Sequence, residues 1–259
     1  MLALYDRFGT GIVQQLDGMF AFALIDGDDN MLLARDPLGS EPLFYGWNGG
    51  QFFFASEIKA LQHFVDRIEE FPPGHWYTPQ DGFVRYYTVE TDTPLSHTDL
   101  DLTKIRDTLT ESVRKRLMSD VPVGVFLSGG LDSSIIAALA CVEQPNMHSF
   151  SVGVKGSQDV TYARQVADHI GSQHHEAIFT PQEMIEALPE VIYYLESFDP
   201  ALVRSAIPNY FLARLAARYV TVVLCGEGAD ELYAGYHYLK GIQGDLLQEL
   251  ITLTQTLYS

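Results

Sequence analysis

Cysteine is scarce in this 259-residue chain: Cys141 and Cys225 stand far apart and form no CxxC pair. That spacing excludes a disulfide framework, an iron–sulfur cluster and a thiolate zinc site. Basic residues are few as well, sixteen Lys and Arg against thirty-four Asp and Glu, for a formal charge of −18. A surface so acidic repels a phosphate backbone and an anionic lipid face alike, so neither nucleic acid nor membrane is an expected partner. Long apolar runs are also missing. The start, MLALYDRFGTG, has no basic region or sustained apolar stretch, and FLARLAARYVTVVLC is interrupted by Arg214 and Arg218. Neither a signal peptide nor a spanning helix is expected, and the chain reads as cytoplasmic. There is no internal repeat or low-complexity tract. What is present is 47% hydrophobic and 12% aromatic residues, ample for one large core or two ordinary ones.

The first ninety or so residues consist of short apolar runs, MFAFALID, MLLARD, PLFYGW and QFFFASE, cut by GDDN, PLGSE and NGG. This spacing predicts an antiparallel sheet region, which EFPPGHWY breaks. The polar stretch TDTPLSHTD is the expected domain boundary, giving domains 1–95 and 96–259. Beyond it, Ile105, Leu109, Val113 and Leu117 recur at the spacing of an amphipathic helix. Strands are then predicted at VPVGVFLS, HSFSVGV, HHEAIF and VTVVLC. Helices are predicted at DSSIIAALACVE, TYARQVADHIG, PQEMIEALPEVIYYLE and IPNYFLARLAARY. Alternation of this kind makes the fold α/β with a mainly parallel sheet, whose ligands sit at the carboxyl ends of strands.

At one of those ends lies GVFLSGGLDSS. An apolar strand runs into Ser128, Gly129 and Gly130, and a helix begins near Asp132 to Ser134. Two glycines permit a turn in which backbone N–H groups converge, and a helix start adds partial positive charge, so phosphate can be held without a lysine. The three serines at 128, 133 and 134 can donate further hydrogen bonds, and Asp132 is an oxygen ligand suited to Mg²⁺. The plainer reading is an ordinary strand–turn–helix with an Asp or Ser cap. The full S-G-G-L-D-S-S string in this context favours phosphate, and the absence of G-K-[ST] excludes a Walker loop.

A second strand-to-helix junction, VVLCGEGADELYAGY, gathers Glu227, Asp230 and Glu231 within five residues. Asp230 can complete a Mg²⁺ site with Asp132, and Glu227 can act as base or positioner for an amine. On its own the run is equally an acidic helix start favoured by the macrodipole. Cys225 is expected to be a buried structural thiol, and Leu127 and Val152 by spacing are core residues. His169, His174 and His175 with Glu176 lack metalloprotease spacing and are expected at a helix end and in a strand. Lys104, Arg106, Arg114, Lys115 and Arg116 form a solvated helix face.

RKRLMSDVPVGVFLSGGLDSS resembles the PP-loop ATP pyrophosphatase signature of glutamine-dependent asparagine synthetases. LDGMFAFALID, ARDPLGSEPLFYG and FFFASEIKAL resemble the second half of that family's N-terminal-nucleophile glutaminase domain. HSFSVGV, HHEAIFT, VIYYLESFDPALVRSAIPNY and VVLCGEGADELYAGY resemble its synthetase domain, so the likeness covers essentially the whole chain. It implies an incomplete antiparallel amidotransferase domain over 1–95 and an ATP pyrophosphatase domain over 96–259. It implies ATP and Mg²⁺ as cofactors, with ATP, aspartate and ammonia as small-molecule partners, and leaves room for a homodimer. By resemblance Ser128, Gly129, Gly130, Asp132, Ser133 and Ser134 bind the nucleotide. The backbone of Leu127 and Val152 meets adenine, and that of Cys225 and Gly226 lines its pocket. Asp132 and Asp230 hold Mg²⁺, Glu227 assists the acyl-adenylate, and Arg204 meets the substrate α-carboxylate, a task suited to its bidentate fork.

The chain departs from the pattern at three places. Cys225 stands where Ser or Thr is common, and Ala201 and Leu202 where the better-known synthetases carry threonines. The family's glutaminase uses a first-residue cysteine whose amine activates the thiol, whereas this chain opens Met1–Leu2. A fragment lacking glutamine hydrolysis, truncated at both ends, is therefore expected. Rival readings are a relative that closes a β-lactam or peptide ring by the same adenylation, a nucleic-acid-modifying member of the loop family, and a folded but inert fragment.

Overall fold

The computed structural model describes residues 1–28, 30–88, 101–236, 239 and 241. The expected boundary TDTPLSHTD lies outside the described residues. Contacts divide the chain into two units, Met1–Leu95 with His237–Ser259, and Ser96–Tyr236.

The first unit opens with helix α1 (Leu2–Phe8) and a 3₁₀ turn (Gly9–Gln14). Strands β1 (Ala21–Ile25), β2 (Met31–Arg35), β3 (Phe44–Asn48) and β4 (Gln51–Ala55) follow the four apolar runs. After the short helix α2 (Ile58–Leu61) come β5 (Glu69–Glu70), β6 (His75–Thr78) and β7 (Gly82–Arg85). All pairings are antiparallel, in sheets ordered β1-β2-β6-β7 and β4-β3-β5. The stretch EFPPGHWY, which breaks the pattern of apolar runs, itself carries strand residues on both sides of a turn. Its Pro-Pro-Gly turn joins β5 to β6, because prolines are tolerated between strands where no ladder donor is needed. The β3–β4 hairpin closes on Gly49 and Gly50, both at positive φ (56° and 82°), as the primed two-residue turn requires. Tyr45, Phe71 and Tyr77 form a buried aromatic core, with Phe52 stacked on Tyr77 at 4.4 Å between ring centroids.

The second unit begins with α3 (Leu102–Arg116), started by the Asp101 carboxylate accepting from Lys104 N at 3.0 Å. Then follow β8 (Val123–Phe126), α4 (Leu131–Glu143), β9 (His148–Gly153), α5 (Gln158–Ile170) and β10 (Gln173–Ile178). Helices α6 (Pro181–Leu195) and α7 (Pro200–Ala216), strand β11 (Val222–Leu224) and the short α8 (Ala229–Tyr233) complete it. The four strands are parallel in the order β10-β9-β8-β11. Strand β8 alternates its packing, as a central strand between two helical layers must. Val123, Val125 and Leu127 join a cluster with Val113, Ala137, Ala140, Ala163 and Ala167, and Phe126 packs with Leu215, Ala216 and Val220 beside α7. The alanines of α4 and α5 let these helices close tightly. Because the chain winds from β8 through β9 to β10 and then returns to the other side of β8, the strand order reverses between β8 and β11. Crevices form outside the carboxyl ends of strands at such a switch point. No helix of the described residues is long and apolar enough to cross a membrane.

Candidate active site

Both glycine-rich loops leave carboxyl ends that flank this switch point, one after β8 and one after β11. The hydrogen bond from Leu127 N to Phe150 O, 2.9 Å, continues the ladder one residue past β8, and Leu127 is buried. Val152, near the end of β9, packs half-buried in the cluster around Phe150. The chain then turns outward: Ser128, Gly130 and Asp132 are exposed. Gly129 has φ 78°, and a Cβ there would stand 2.5 Å from Tyr162 Cβ and 2.6 Å from Ala163 N, so the loop is seated directly on α5. Only glycine meets both conditions, the left-handed φ and the close approach. Helix α4 starts one residue earlier than the sequence predicts, at Leu131. Its cap is Gly130, with no side-chain cap bond, rather than Asp132 or a serine.

The serines fasten the loop to itself. Ser128 Oγ and Ser133 Oγ lie 2.9 Å apart, Ser128 N donates to Ser133 Oγ at 3.2 Å and Gly130 N to Ser128 Oγ at 3.3 Å. Ser134 Oγ donates to Gly130 O at 2.6 Å. These bonds fix the turn and engage the amides of Ser128 and Gly130 with serine hydroxyls.

The second loop is pressed against the first. A Cβ on Gly226 would lie 2.8 Å from Ser133 N, 3.0 Å from the Asp132 carbonyl carbon and 3.1 Å from Asp132 Cβ. The loops are therefore in contact at the start of α4, with Asp132 at the junction. Neither Asp132 nor Asp230 makes a side-chain hydrogen bond or ion pair with another described residue. Asp132 is exposed and Asp230 half-buried at the start of α8. Among the described residues no three His, Cys, Asp or Glu side chains converge as a complete metal cage. The exposed Asp132 carboxylate is of the kind that holds Mg²⁺ together with retained waters and substrate phosphates, whereas Asp230 Oδ1 is turned against Gly235, where a Cβ would stand 1.9 Å from it. Glu227 is exposed beside them.

Cys225 corrects an expectation: its thiol is exposed, while Cys141 is buried and burial pushes its thiol upward in pKa. The reason is positional, since Cys225 follows the last residue of β11 and belongs to the outward loop. Glu231 is buried; its Oε1 accepts from Tyr236 Oη, holding that phenol well above its ordinary pKa, and its Oε2 has no hydrogen-bond partner among the described residues.

Arg204 lies in the second turn of α7, exposed. The helix start beneath it is rigid, because Asp199 Oδ1 accepts from both Ala201 N and Leu202 N at 2.9 Å. His169 stands in the last turn of α5, and His174 and His175 lie in β10, as expected. His174 bonds Ser149 Oγ (2.8 Å) and Ser151 Oγ (3.1 Å), and His175 Nε2 lies 2.8 Å from His148 Nδ1. The histidines thus serve the β9–β10 pairing. The contribution of Tyr162 and Ala163 as the seat of Gly129 carries no signal in the sequence, being more than thirty residues away.

Comparison with known proteins identifies the family of the chain. The family model described as asparagine synthase matches residues 104–251, more than half of the chain, and that of a glutamine amidotransferase domain matches residues 1–63. Asparagine synthetase B [glutamine-hydrolyzing] of Escherichia coli (strain K12) is 42% identical over 98% of this chain and 50% of its own length. Asparagine synthetase [glutamine-hydrolyzing] 3 of Arabidopsis thaliana is 42% identical over 91% of this chain and 43% of its own. The chain thus spans about half the length of the curated relatives it matches. Among solved structures, the NH3-dependent NAD synthetase from Campylobacter jejuni superposes with a TM-score of 0.39 at 19% identity, over 53% of this chain and 61% of that one, too remote to carry an argument. With the switch-point loops in place and more than half its length matched by one family model, the chain belongs to the asparagine synthase family.

Proposed function

We propose that the second unit is the adenylating half of an ATP-dependent, asparagine-forming ligase. In this reading the ATP pyrophosphatase domain extends beyond that unit to cover residues 96–259, although contacts group His237–Ser259 with the first unit, and 1–95 is a partial amidotransferase domain, working in the cytoplasm. The observation that carries it is the contact of Gly226 with Asp132 and Ser133. It brings two acidic, glycine-rich loops together at the strand ends where nucleotides bind in such sheets.

A carboxylate resists attack by an amine because its charge is delocalised. The side-chain carboxylate of aspartate therefore attacks the α-phosphorus of ATP, the bond to the bridging oxygen breaks, and pyrophosphate leaves. Ammonia then attacks the carbonyl carbon of the resulting β-aspartyl-AMP, loses a proton and expels AMP. The Gly129 amide and the start of α4, with the Ser128 and Ser133 hydroxyls exchanging their mutual bond for phosphate oxygens, bind the departing phosphates and stabilise the charge that develops on them. Asp132 and Asp230 would hold Mg²⁺, which supplies charge neutralisation on the phosphates when bound. Glu227, exposed at the same rim, takes the proton from the attacking amine. Arg204, raised on the capped α7, binds the α-carboxylate and so selects an amino acid.

The test is ATP–pyrophosphate exchange. Exchange dependent on aspartate is expected, with Asp132→Asn and Asp230→Asn each losing at least a hundredfold while unfolding at an unchanged temperature. Exchange supported by another acid but not aspartate would favour the ring-closing reading, for which the apolar pair Ala201 and Leu202 beside Arg204 gives a specific reason. No exchange with any acid and no ATP protection against thermal unfolding would leave the inert fragment.

A further inference from the structure

The phosphate loop contains no lysine, yet a triphosphate bound there faces a strongly acidic rim. Four loops leave the carboxyl ends of the parallel strands: residues 127–130 after β8, 154–157 after β9, 179–180 after β10 and 225–228 after β11. Their sequences are LSGG, VKGS, FT and CGEG. Among the described residues Lys155 is therefore the one basic side chain in these loops. Against it stand Glu227 in a loop, and Asp132 and Asp230 in the helix starts that follow. A nucleotide carrying several negative charges is repelled by such a set unless cations offset it, because charges a few ångströms apart interact strongly where the dielectric is low.

We propose that Lys155 is a nucleotide-binding residue that supplies this chain's own cation to the phosphates, an inference that rests on the adenylating reading above. Three observations carry it. First, β8 and β9 are parallel neighbours, with Phe126 opposite Phe150, so the loops that follow them leave the same edge of the sheet, that of β9 three residues, roughly 10 Å, further along. Second, Lys155 is held on a tight turn. Ser157 N donates to Val154 O at 3.0 Å, and Gly156 has φ 83°, the arrangement that puts Lys155 at the outer corner. The lysine is exposed and makes no ion pair with another described residue, so its ammonium is available. Third, the turn leads directly into α5, the helix on which the phosphate loop sits through Tyr162 and Ala163. Ser157 and Tyr162 are five helical residues apart, roughly 7.5 Å. Phosphate loop and lysine turn are thus mounted on one helix. A flexible, strongly hydrated point charge suits a triphosphate whose oxygens move as pyrophosphate departs.

The consequence is a binding contribution that grows with the number of phosphates. Wild type, Lys155→Gln and Lys155→Arg would be titrated with ATP, ADP, AMP and adenosine in the presence of Mg²⁺, alongside the ATP dependence of pyrophosphate exchange. The expected result is a five- to twentyfold weaker ATP affinity and a matching rise in KM for ATP in Lys155→Gln. Adenosine affinity should be unchanged, Lys155→Arg should restore most of the loss, and the salt dependence of ATP binding should be shallower. Unchanged ATP affinity in Lys155→Gln, with Asp132→Asn abolishing exchange, would overturn the assignment and leave the adenylating reading standing. An equal loss for adenosine and ATP would also overturn it, since the residue would then act through the fold of the loop. Failure of the unaltered chain to bind ATP at all would overturn both.

Discussion

At the scale of single residues, Gly226 decides more than any carboxylate near it. The nearest atoms to its missing side chain are backbone and Cβ atoms at the start of α4, which cannot swing aside as a flexible side-chain tip would. Gly226→Ala must move the β11 loop away from Asp132, a small-to-large change costing about 1–3 kcal/mol. The expected outcome is a lower unfolding temperature together with at least tenfold weaker ATP binding, read by calorimetry and titration. An alanine variant with wild-type affinity would show that the two loops do not act as one site. Asp132, Asp230 and Glu227 were legible in the sequence as residue types at strand ends. The closeness of Gly226 to Ser133 was not, because some ninety residues separate them. Cys225, expected to be a buried structural thiol, proves exposed, since one residue past a strand end the chain has already turned outward.

At the scale of elements, the caps and strand pairs set the frame. Helix α6 begins with a full capping box, Thr180 Oγ1 accepting from Glu183 N and Glu183 Oε2 accepting from Thr180 N at 2.7 Å. The β9–β10 pair carries a load of a different kind. Burial pushes His174 and His175 below the ordinary histidine value of 6.5, aided for His175 by the neighbouring His148. Glu176 pulls His174 the other way and does not prevail. The folded chain thus favours neutral imidazoles, and the unfolded chain binds protons that the folded one refuses. Their contribution to stability is present in full above about 6.5 and is lost as pH falls through 6.5 towards the lower folded values. Glu176, Glu111 and Glu183 are held below the ordinary glutamate range by hydrogen bonds, so their contribution is lost only at more acid pH. In 1 M salt the unfolding temperature should therefore drop between pH 7.5 and 5.5, and drop again below about 4.5. A flat profile between 7.5 and 5.5 would refute the role assigned to the histidines, and His174→Asn should flatten the first step.

At the scale of the whole molecule, charge dominates. With a formal charge of −18, the compact state is opposed by self-repulsion. Raising salt from 0.1 M to 1 M shortens the Debye length from about 10 Å to about 3 Å, and the unfolding temperature should rise by several degrees over that range. A neutral osmolyte at the same concentration serves as the control. A rise no larger in salt than in the osmolyte would show that repulsion is not what limits stability.

Helix and strand alternation over residues 101–236, the antiparallel runs before residue 60, and the two acidic glycine-rich junctions were determined by local sequence. Periodicity, turn residues and strand-to-helix transitions act over ten residues or fewer. The strands hidden around Pro72 and Pro73 escaped, because prolines there mark a turn between strands rather than the end of a sheet. Only the tertiary structure decided that β11 returns to lie beside β8 instead of extending the sheet past β10. That choice depends on which helices cover which face, through packing between residues far apart in the chain. It creates the switch point, and with it the meeting of Asp132 and Gly226.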